Sequence, residues 1–181
     1  MSHSRRPARR LLLLALCPLA FGACSTAGGF EPPAPRPEPA VRAPEPATDV
    51  AAENDAARIT AGVVEIALAS IGTPYVWGGT DANGFDCSGL IQFAYGEFGI
   101  ALPRVSTAQM QAGSPIDLEP DLLRPGDILG FSLDNPDKTS HVGLYVGGNE
   151  FIHSSSSGVR ISNILNPYWV EHLVAVRRIV R

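Results

Sequence analysis

The sequence predicts an α+β domain in which helices come first and pack on an antiparallel β-sheet that follows. Apolar residues recur at helical spacing in the first half of this domain. In the second half the pattern changes to short apolar runs between turn residues, which is typical of strands. Gly147-Gly148-Asn149 separates two of these runs, and because these residues tolerate positive φ angles it predicts a hairpin.

The first 23 residues have the layout of a secretory signal peptide. Four arginines come before an apolar run from Leu11 to Phe21, and the small residues Gly22 and Ala23 follow. This layout, with an apolar core too short for a membrane-spanning helix, predicts export. Residues 21–24, FGAC, resemble a bacterial lipobox, although Phe21 stands where Leu is commoner. We expect Cys24 to become the lipid-modified first residue of an exported, membrane-anchored protein; ordinary cleavage nearby, giving a secreted protein, is the alternative.

Proline is dense in residues 28–47, which favours an extended polyproline II chain of roughly 3.1 Å per residue. Residues 24–48 are therefore predicted to form a tether that reaches on the order of 80 Å when stretched. A proline-rich ligand for another domain is the alternative. Ser25 provides no Asp retention signal, so we expect the periplasmic side of the outer membrane if the host is diderm.

Residues 49–181 are predicted to form one domain of about 130 residues, enough for a single hydrophobic core. Helical spacing predicts three helices: Asn54–Ser70, one that opens at Cys87 and ends before Gly99, and a shorter one at Ser106–Gln111. Short apolar runs predict five strands: Asp127–Phe131, His141–Val146, Glu150–His153, Val159–Ile161 and Leu173–Val180.

The formal net charge is −4, and no acidic residue precedes Glu31 to balance the four signal arginines, so processing gives −4 − 4 = −8. This sign gives no support for binding nucleic acid or an anionic membrane surface. We expect a monomer without a cofactor.

Processing would leave one of the three cysteines, Cys87, alone in the mature domain, because Cys17 lies in the signal and Cys24 is the lipid site. A lone cysteine in an exported protein is either inert or reactive. Cys87 follows a Gly-rich polar run at a predicted helix start, where free N–H groups and the helix dipole should lower its pKa. The alternative is a small buried residue in the apolar stripe of the helix.

Two histidines stand at strand ends that the predicted hairpin brings together. His141 opens one strand and His153 closes the next. A cysteine at a helix start that faces such a histidine is the arrangement of thiol peptidases, in which the imidazole accepts the thiol proton and gives it to the leaving amine. His153 fits the third role, which is to hold His141 in the right tautomer. The alternative is a zinc site of Cys87, His141, His153 and His172, although the close ligand spacing of zinc sites is absent.

Short motifs run through the folded domain: Pro-Tyr-x-Trp-Gly-Gly at 74–79, Asp-Cys-Ser-Gly-Leu at 86–90, Leu-Pro-Arg at 102–104, Pro-Gly-Asp at 125–127, His-Val-Gly-Leu-Tyr at 141–145 and Phe-Ile-His at 151–153. Their order resembles the NlpC-type family of peptidoglycan endopeptidases over about residues 61–181. The resemblance implies a papain-like fold and cleavage of cell-wall stem peptides, at D-glutamyl/diaminopimelate or D-alanyl/diaminopimelate bonds. A non-catalytic peptidoglycan-binding lipoprotein and a transferase are the alternatives.

The resemblance also implies catalytic roles by position. Cys87 would be the nucleophile, His141 the general base and His153 the orienting residue. Tyr75 would donate its hydroxyl to the oxyanion, together with the backbone N–H of Cys87. The alternative role of Tyr75 is that of a core aromatic.

Other motif residues are implied to bind substrate or to shape the site. Asp86 and Ser88 would recognise charged groups of the stem peptide, with an N-cap as the alternative role of Asp86. Residues 77–79 are expected to be structural. Gly130 stands where relatives often carry a bulky aromatic, which predicts looser packing under the site.

Overall fold

The computed structural model describes residues 47–135 and 138–181, with side chains from residue 50 onwards. The predicted signal peptide, Cys24 and the tether up to residue 46 lie outside these residues. Within the described part of the chain, no helix combines the length and the apolar character needed to cross a membrane.

Four helices and eight strands make up this part of the chain. The helices are α1 (Ala47–Ala69), α2 (Cys87–Gly96), α3 (Ser106–Gln109) and α4 (Pro167–His172), with a 3-10 turn at Pro120–Leu122. The strands are β1 (Thr80–Asp81), β2 (Gly84–Phe85), β3 (Ser114–Ile116), β4 (Ile128–Phe131), β5 (His141–Gly147), β6 (Glu150–Ser155), β7 (Gly158–Asn163) and β8 (Leu173–Arg178).

Six strands form one antiparallel sheet in the order β3-β8-β4-β5-β6-β7, and β1 pairs with β2 separately. The predicted α+β class with an antiparallel sheet is confirmed. The β5–β6 hairpin turns at Gly147-Gly148-Asn149 as predicted, and all three residues have positive φ angles. Its register pairs Leu144 with Ile152, which brings the start of β5 beside the end of β6.

The predicted strands are all present, with bounds that agree within two residues. Helix α1 begins at Ala47 rather than at Asn54, and α3 ends at Gln109. The predictions missed β1, β2 and β3, which have only two or three residues each, and they missed α4. Helix α4 does carry a start signal in the sequence, because Asn166 caps it through a hydrogen bond from the Tyr168 N–H and Pro167 occupies its first turn.

The two faces of the sheet bury different side chains, because alternate residues of a strand point in opposite directions. One face packs against α1 and α2 through Ile128, Leu144, Ile152, Val63, Leu90 and Ile91. The other face packs against α4 through Leu129, Tyr145, Phe151 and Trp169. Burying an apolar side chain of this size stabilises the fold by about 1.5–3 kcal/mol. Helix α2 is thereby held against the strands that carry the two histidines.

A buried ion pair ties the start of β4 to the end of β8. Arg178 donates from Nε to Asp127 Oδ1 at 2.8 Å and from Nη2 to Asp127 Oδ2 at 2.7 Å. Asp127 is 1% exposed and also accepts the Arg124 backbone N–H at 2.8 Å. Both carboxylate oxygens are therefore satisfied, which compensates the charge inside the core.

Candidate active site

The thiol of Cys87 stands at the start of α2, as predicted. Asp86 has an extended backbone and caps the helix, with its Oδ1 accepting the Gly89 N–H at 2.7 Å. Cys87 is therefore the first helical residue. It is a free thiol and partly buried.

The two histidines meet across the β5–β6 hairpin. The His141 Nε2 and His153 Nδ1 atoms are 2.8 Å apart, and the two rings are nearly perpendicular. On the far side of His153, its Nε2 lies 3.0 Å from Ser162 Oγ on β7. The predicted meeting of the histidines is confirmed, and the row continues to a serine that the sequence analysis did not single out.

This row fixes the tautomers if His141 is to act as a base. With Nε2 occupied by His153, Nδ1 is the nitrogen of His141 that can accept the thiol proton. His141 must then carry its own proton on Nε2 and donate it to His153 Nδ1. His153 in turn carries its proton on Nε2, where Ser162 Oγ accepts it.

Trp169 of α4 packs against both histidine rings. Its ring stacks on His141 with a centroid distance of 6.0 Å and meets His153 edge-on at 5.1 Å. Phe131 and Phe151 pack against the same tryptophan. These apolar rings shield the histidines from water and limit their rotation. Trp169 and its helix were not predicted from the sequence.

Cys87 and His141 line one groove of about 740 Å³, which also includes Tyr75 and Arg104. The backbone N–H of Val142, the residue after His141, donates a hydrogen bond to the Cys87 sulfur. The start of β5 therefore brings both a base and an N–H group to the thiol.

Burial controls the charge of the thiol and of the histidines. It raises the pKa of Cys87, against the hydrogen bond from Val142, and the Asp86 charge adds to the rise. The expectation that the helix start lowers this pKa is wrong, because desolvation outweighs the N–H groups. Burial lowers the pKa of His141 to about 4 and that of His153 to about 3, the latter with a contribution from His141 and Arg160. Thiol and imidazole are therefore both neutral at neutral pH.

Asp86 and Ser88 belong to one polar cluster with Arg104. Arg104 donates from Nη1 to Asp86 Oδ1 at 2.9 Å and from Nη2 to Asp86 Oδ2 at 2.6 Å, and its Nη1 lies 3.0 Å from Ser88 Oγ. Burial alone would raise the pKa of Asp86, but the bonds from Arg104 and Gly89 lower it below its ordinary value. Asp86 is thus a helix cap and an ion-pair partner at once. Arg104 was part of a motif in the sequence but was not singled out as a site residue.

Tyr75 lies where the groove of Cys87 meets a second cavity, and it lines both. Burial raises the pKa of its phenol, and the charges of Cys87 and Asp86 add to the rise. The hydroxyl therefore stays protonated and can donate. Its backbone bridges to Phe85, just before the capping residue of α2.

The glycines of the Trp-Gly-Gly motif are structural, but its tryptophan does not pack. A Cβ on Gly79 would lie 2.2 Å from Gly84 O, and Gly78 has a φ angle of 78°. The expected structural role of Trp77 is wrong, because its side chain is 87% exposed on the rim of the groove.

Gly130 does not loosen the packing under the site. A Cβ at this position would lie 2.5 Å from Met110 Sδ. Met110 therefore fills the space that a larger residue would take, and the expected looser packing is wrong.

The zinc alternative needs at least three ligands in one place. Among residues 47–135 and 138–181, no group of three or more His, Cys, Asp or Glu side chains is placed to hold a metal ion. His172 instead faces its own helix, with Nδ1 2.6 Å from Tyr168 O.

The chain is similar to a known family and to several of its members. A sequence profile described as the NlpC/P60 family matches residues 72–178. The chain is 40% identical over 119 residues to the bifunctional muramidase/DL-endopeptidase CwlT of Bacillus subtilis, covering 65% of this chain and 36% of that protein. It is 35% identical over 117 residues to the murein DD-endopeptidase MepH of Escherichia coli, covering 62% and 43%. An NlpC/P60 family protein from Bacillus cereus superposes with a TM-score of 0.63 and 31% identity, over 67% of this chain and 40% of that one. The chain thus spans less than half the length of each of these proteins.

Proposed function

The chain belongs to the NlpC/P60 family, and we propose that it is a cysteine endopeptidase that hydrolyses an amide bond in the stem peptides or cross-links of peptidoglycan. The observation that carries this proposal is the groove in which Cys87 and His141 lie together, with His141 held by His153. The names of the two curated relatives support the substrate class.

The mechanism follows from the neutral thiol and imidazole. As the substrate carbonyl approaches, the Cys87 proton moves to His141 Nδ1 and the sulfur adds to the carbonyl carbon. The Tyr75 hydroxyl and the Cys87 backbone N–H are the donors for the oxyanion. His141 then gives its proton to the leaving amine, and water hydrolyses the thioester with His141 again as base. His153 and Ser162 keep Nδ1 of His141 available throughout.

Substrate binding in the groove is assigned to Asp86, Ser88 and Arg104, which offer an acceptor, a hydroxyl and a cation beside the thiol. Such a cluster suits a charged group of a stem peptide. The bond to be cut is a D-glutamyl/diaminopimelate or a D-alanyl/diaminopimelate bond. The DL and DD names of the relatives match this pair of choices.

The anchoring proposal comes from the sequence. Export by the N-terminal signal, lipidation of Cys24 and a tether to residue 48 would hold the enzyme on the outer membrane of a diderm host within reach of the wall. Incorporation of labelled palmitate by the wild type, and its loss in Cys24→Ala, is the expected result. Labelling that persists in Cys24→Ala would overturn it.

The activity is tested with the mature chain, residues 24–181, carrying Cys24→Ala so that it is soluble, with and without Cys87→Ala. Both proteins are incubated with peptidoglycan and isolated muropeptides, and the products are identified by mass spectrometry. We expect cleavage only when Cys87 is present, and the fragment masses then name the bond. Binding by both proteins without cleavage would favour the non-catalytic lipoprotein. New products that form only with an added amine would favour a transferase.

A further inference from the structure

A second cavity, of about 810 Å³, adjoins the groove of Cys87 on the side of the histidines. We call it the Arg160 cavity. It is lined by His141 and His153, by serines of β6 and β7 and of the turn between them, and by residues of and next to α4. Tyr75, Leu133 and His141 line both cavities and mark their border. The substrate can therefore cross Tyr75 from one cavity into the other.

The position of the histidines decides which half of the substrate enters this cavity. In the proposed reaction His141 must reach the nitrogen of the leaving amine in order to protonate it. The groove of Cys87 contains the thiol and so holds the acyl half. His141 borders both spaces, so the leaving half lies on its other side, in the Arg160 cavity, which His153 lines and Cys87 does not.

Among the described residues that line this cavity, Arg160 is the one that carries a charge at neutral pH. The two histidines that line it are neutral there. Its cross-strand partner is His153, so the two side chains stand on the same face of the sheet. The side chain is exposed, and within residues 47–135 and 138–181 it forms no ion pair. Arg104 and Arg178, by contrast, are both held by an aspartate.

A free guanidinium in a cavity with several hydroxyl groups suits a carboxylate, which it can hold through two parallel hydrogen bonds. Ser156 and Ser157 are exposed beside it and can donate to the same anion. A substrate group that ends in an ammonium without a neighbouring carboxylate would meet only a like charge here. The cavity therefore discriminates between two kinds of stem-peptide residue.

We propose that Arg160 binds a carboxylate on the residue whose amine leaves, so that the enzyme prefers a stem with diaminopimelate at this place over one with lysine. Diaminopimelate carries an additional carboxylate at the end of its side chain, which lysine lacks. This inference rests on the proposed function. It assigns a specificity residue outside the catalytic groove.

The test uses three soluble stem peptides that differ only in the leaving residue: diaminopimelate, its side-chain amide and lysine. The soluble mature chain should cut the diaminopimelate peptide with a kcat/KM roughly tenfold or more above the other two. Arg160→Gln should remove this preference by lowering kcat/KM for diaminopimelate alone, mainly through KM. Arg160→Lys should keep part of it. Arg124→Gln makes the same change of charge at an arginine outside both cavities and should keep the full preference.

Equal rates for the three peptides in the wild type, or an equal loss on all three in Arg160→Gln, would overturn the inference. Melting temperatures of the variants separate such a loss from misfolding. If the wild type cuts none of the peptides, the proposed function fails and the inference is tested by calorimetric binding to Cys87→Ala. Tighter binding of the diaminopimelate peptide that Arg160→Gln abolishes would then support a recognition site, and equal binding of the three peptides would overturn it.

Discussion

Two arginine–aspartate pairs with the same bidentate geometry lie at different depths of the molecule. Arg104 contacts Asp86 at 2.6 and 2.9 Å beside the groove, and Arg178 contacts Asp127 at 2.7 and 2.8 Å between β4 and β8. The side chains of the groove pair are 34% and 12% exposed, whereas those of the core pair are 17% and 1% exposed. Distances alone do not distinguish the two pairs.

The hydrogen-bond donors around each aspartate distinguish the two pairs. Asp86 also accepts from the Gly78 and Gly89 backbone N–H groups and from the Ser88 hydroxyl, so it keeps partners if Arg104 is lost. Within residues 47–135 and 138–181, Asp127 has one further donor, the Arg124 backbone N–H, and at 1% exposure it has almost no access to water that could replace a lost partner. The core pair should therefore matter for stability, and the groove pair for catalysis.

The largest expected effect is on the core pair. Asp127→Ala removes the ion-pair partner of Arg178 at the junction of two strands and leaves Leu122 O as its acceptor. Breaking such a buried pair costs about 3–5 kcal/mol of unfolding free energy. Urea unfolding measures this loss. At temperatures where the variant remains folded, kcat/KM on a muropeptide should stay within about twofold of the wild type, because Asp127 lies outside the groove.

Asp127→Asn is the control for shape, since the amide oxygen can still accept one hydrogen bond and should lose less. A loss below about 1 kcal/mol in Asp127→Ala would contradict the assigned role of the core pair.

The second effect is a dependence of the unfolding free energy on pH, which comes from the two histidines of the site. The folded protein holds His141 and His153 with pKa values of about 4 and about 3, and the unfolded value is 6.5. As the pH falls below 6.5, the two histidines bind protons in the unfolded chain but not in the folded chain. The unfolding free energy therefore decreases. The slope is about 1.4 kcal/mol per pH unit for each histidine, and roughly 2–4 kcal/mol should be lost between pH 7 and pH 5.

Unfolding by urea at several pH values measures this slope. His141→Gln should reduce it, whereas His172→Gln, outside both cavities, is the control. A stability that is constant from pH 7 to pH 5 would show that the histidines are not held neutral. The activity should accordingly remain on a plateau down to about pH 4 wherever the protein is folded.

The sequence was sufficient for the three residues of the proposed catalytic row, for a physical reason. Cys87 begins a helix, His141 begins β5 and His153 lies in the second half of the paired strand β6, so periodicity and one turn place them together. Arg104, Trp169 and Ser162 reach the site from a loop, a short helix and the next strand. Their approach depends on tertiary packing that no local period encodes.

The pKa of Cys87 shows the same limit. The helix start is visible in the sequence and favours the thiolate, but the burial that raises the pKa results from β5 packing against α2. The sign of the shift depends on which effect is larger. Only the folded arrangement decides that.

The smallest of the three effects on the unfolding free energy concerns the groove pair, Arg104 and Asp86. It tests the comparison of the two pairs most directly. Arg104→Gln should lower the unfolding free energy by less than about 1 kcal/mol, because the side chain is partly solvated and Asp86 keeps its other donors. It should lower kcat/KM roughly tenfold to a hundredfold, since the groove loses the cation that is paired with Asp86, and the uncompensated Asp86 charge raises the pKa of Cys87 further. The rate of Cys87 alkylation by iodoacetamide as a function of pH measures that rise.

Arg104→Lys is the control, because it keeps the charge without the bidentate contact, and it should lose less activity. An unchanged kcat/KM together with a loss of 3 kcal/mol or more in stability would make this pair structural, like the one in the core.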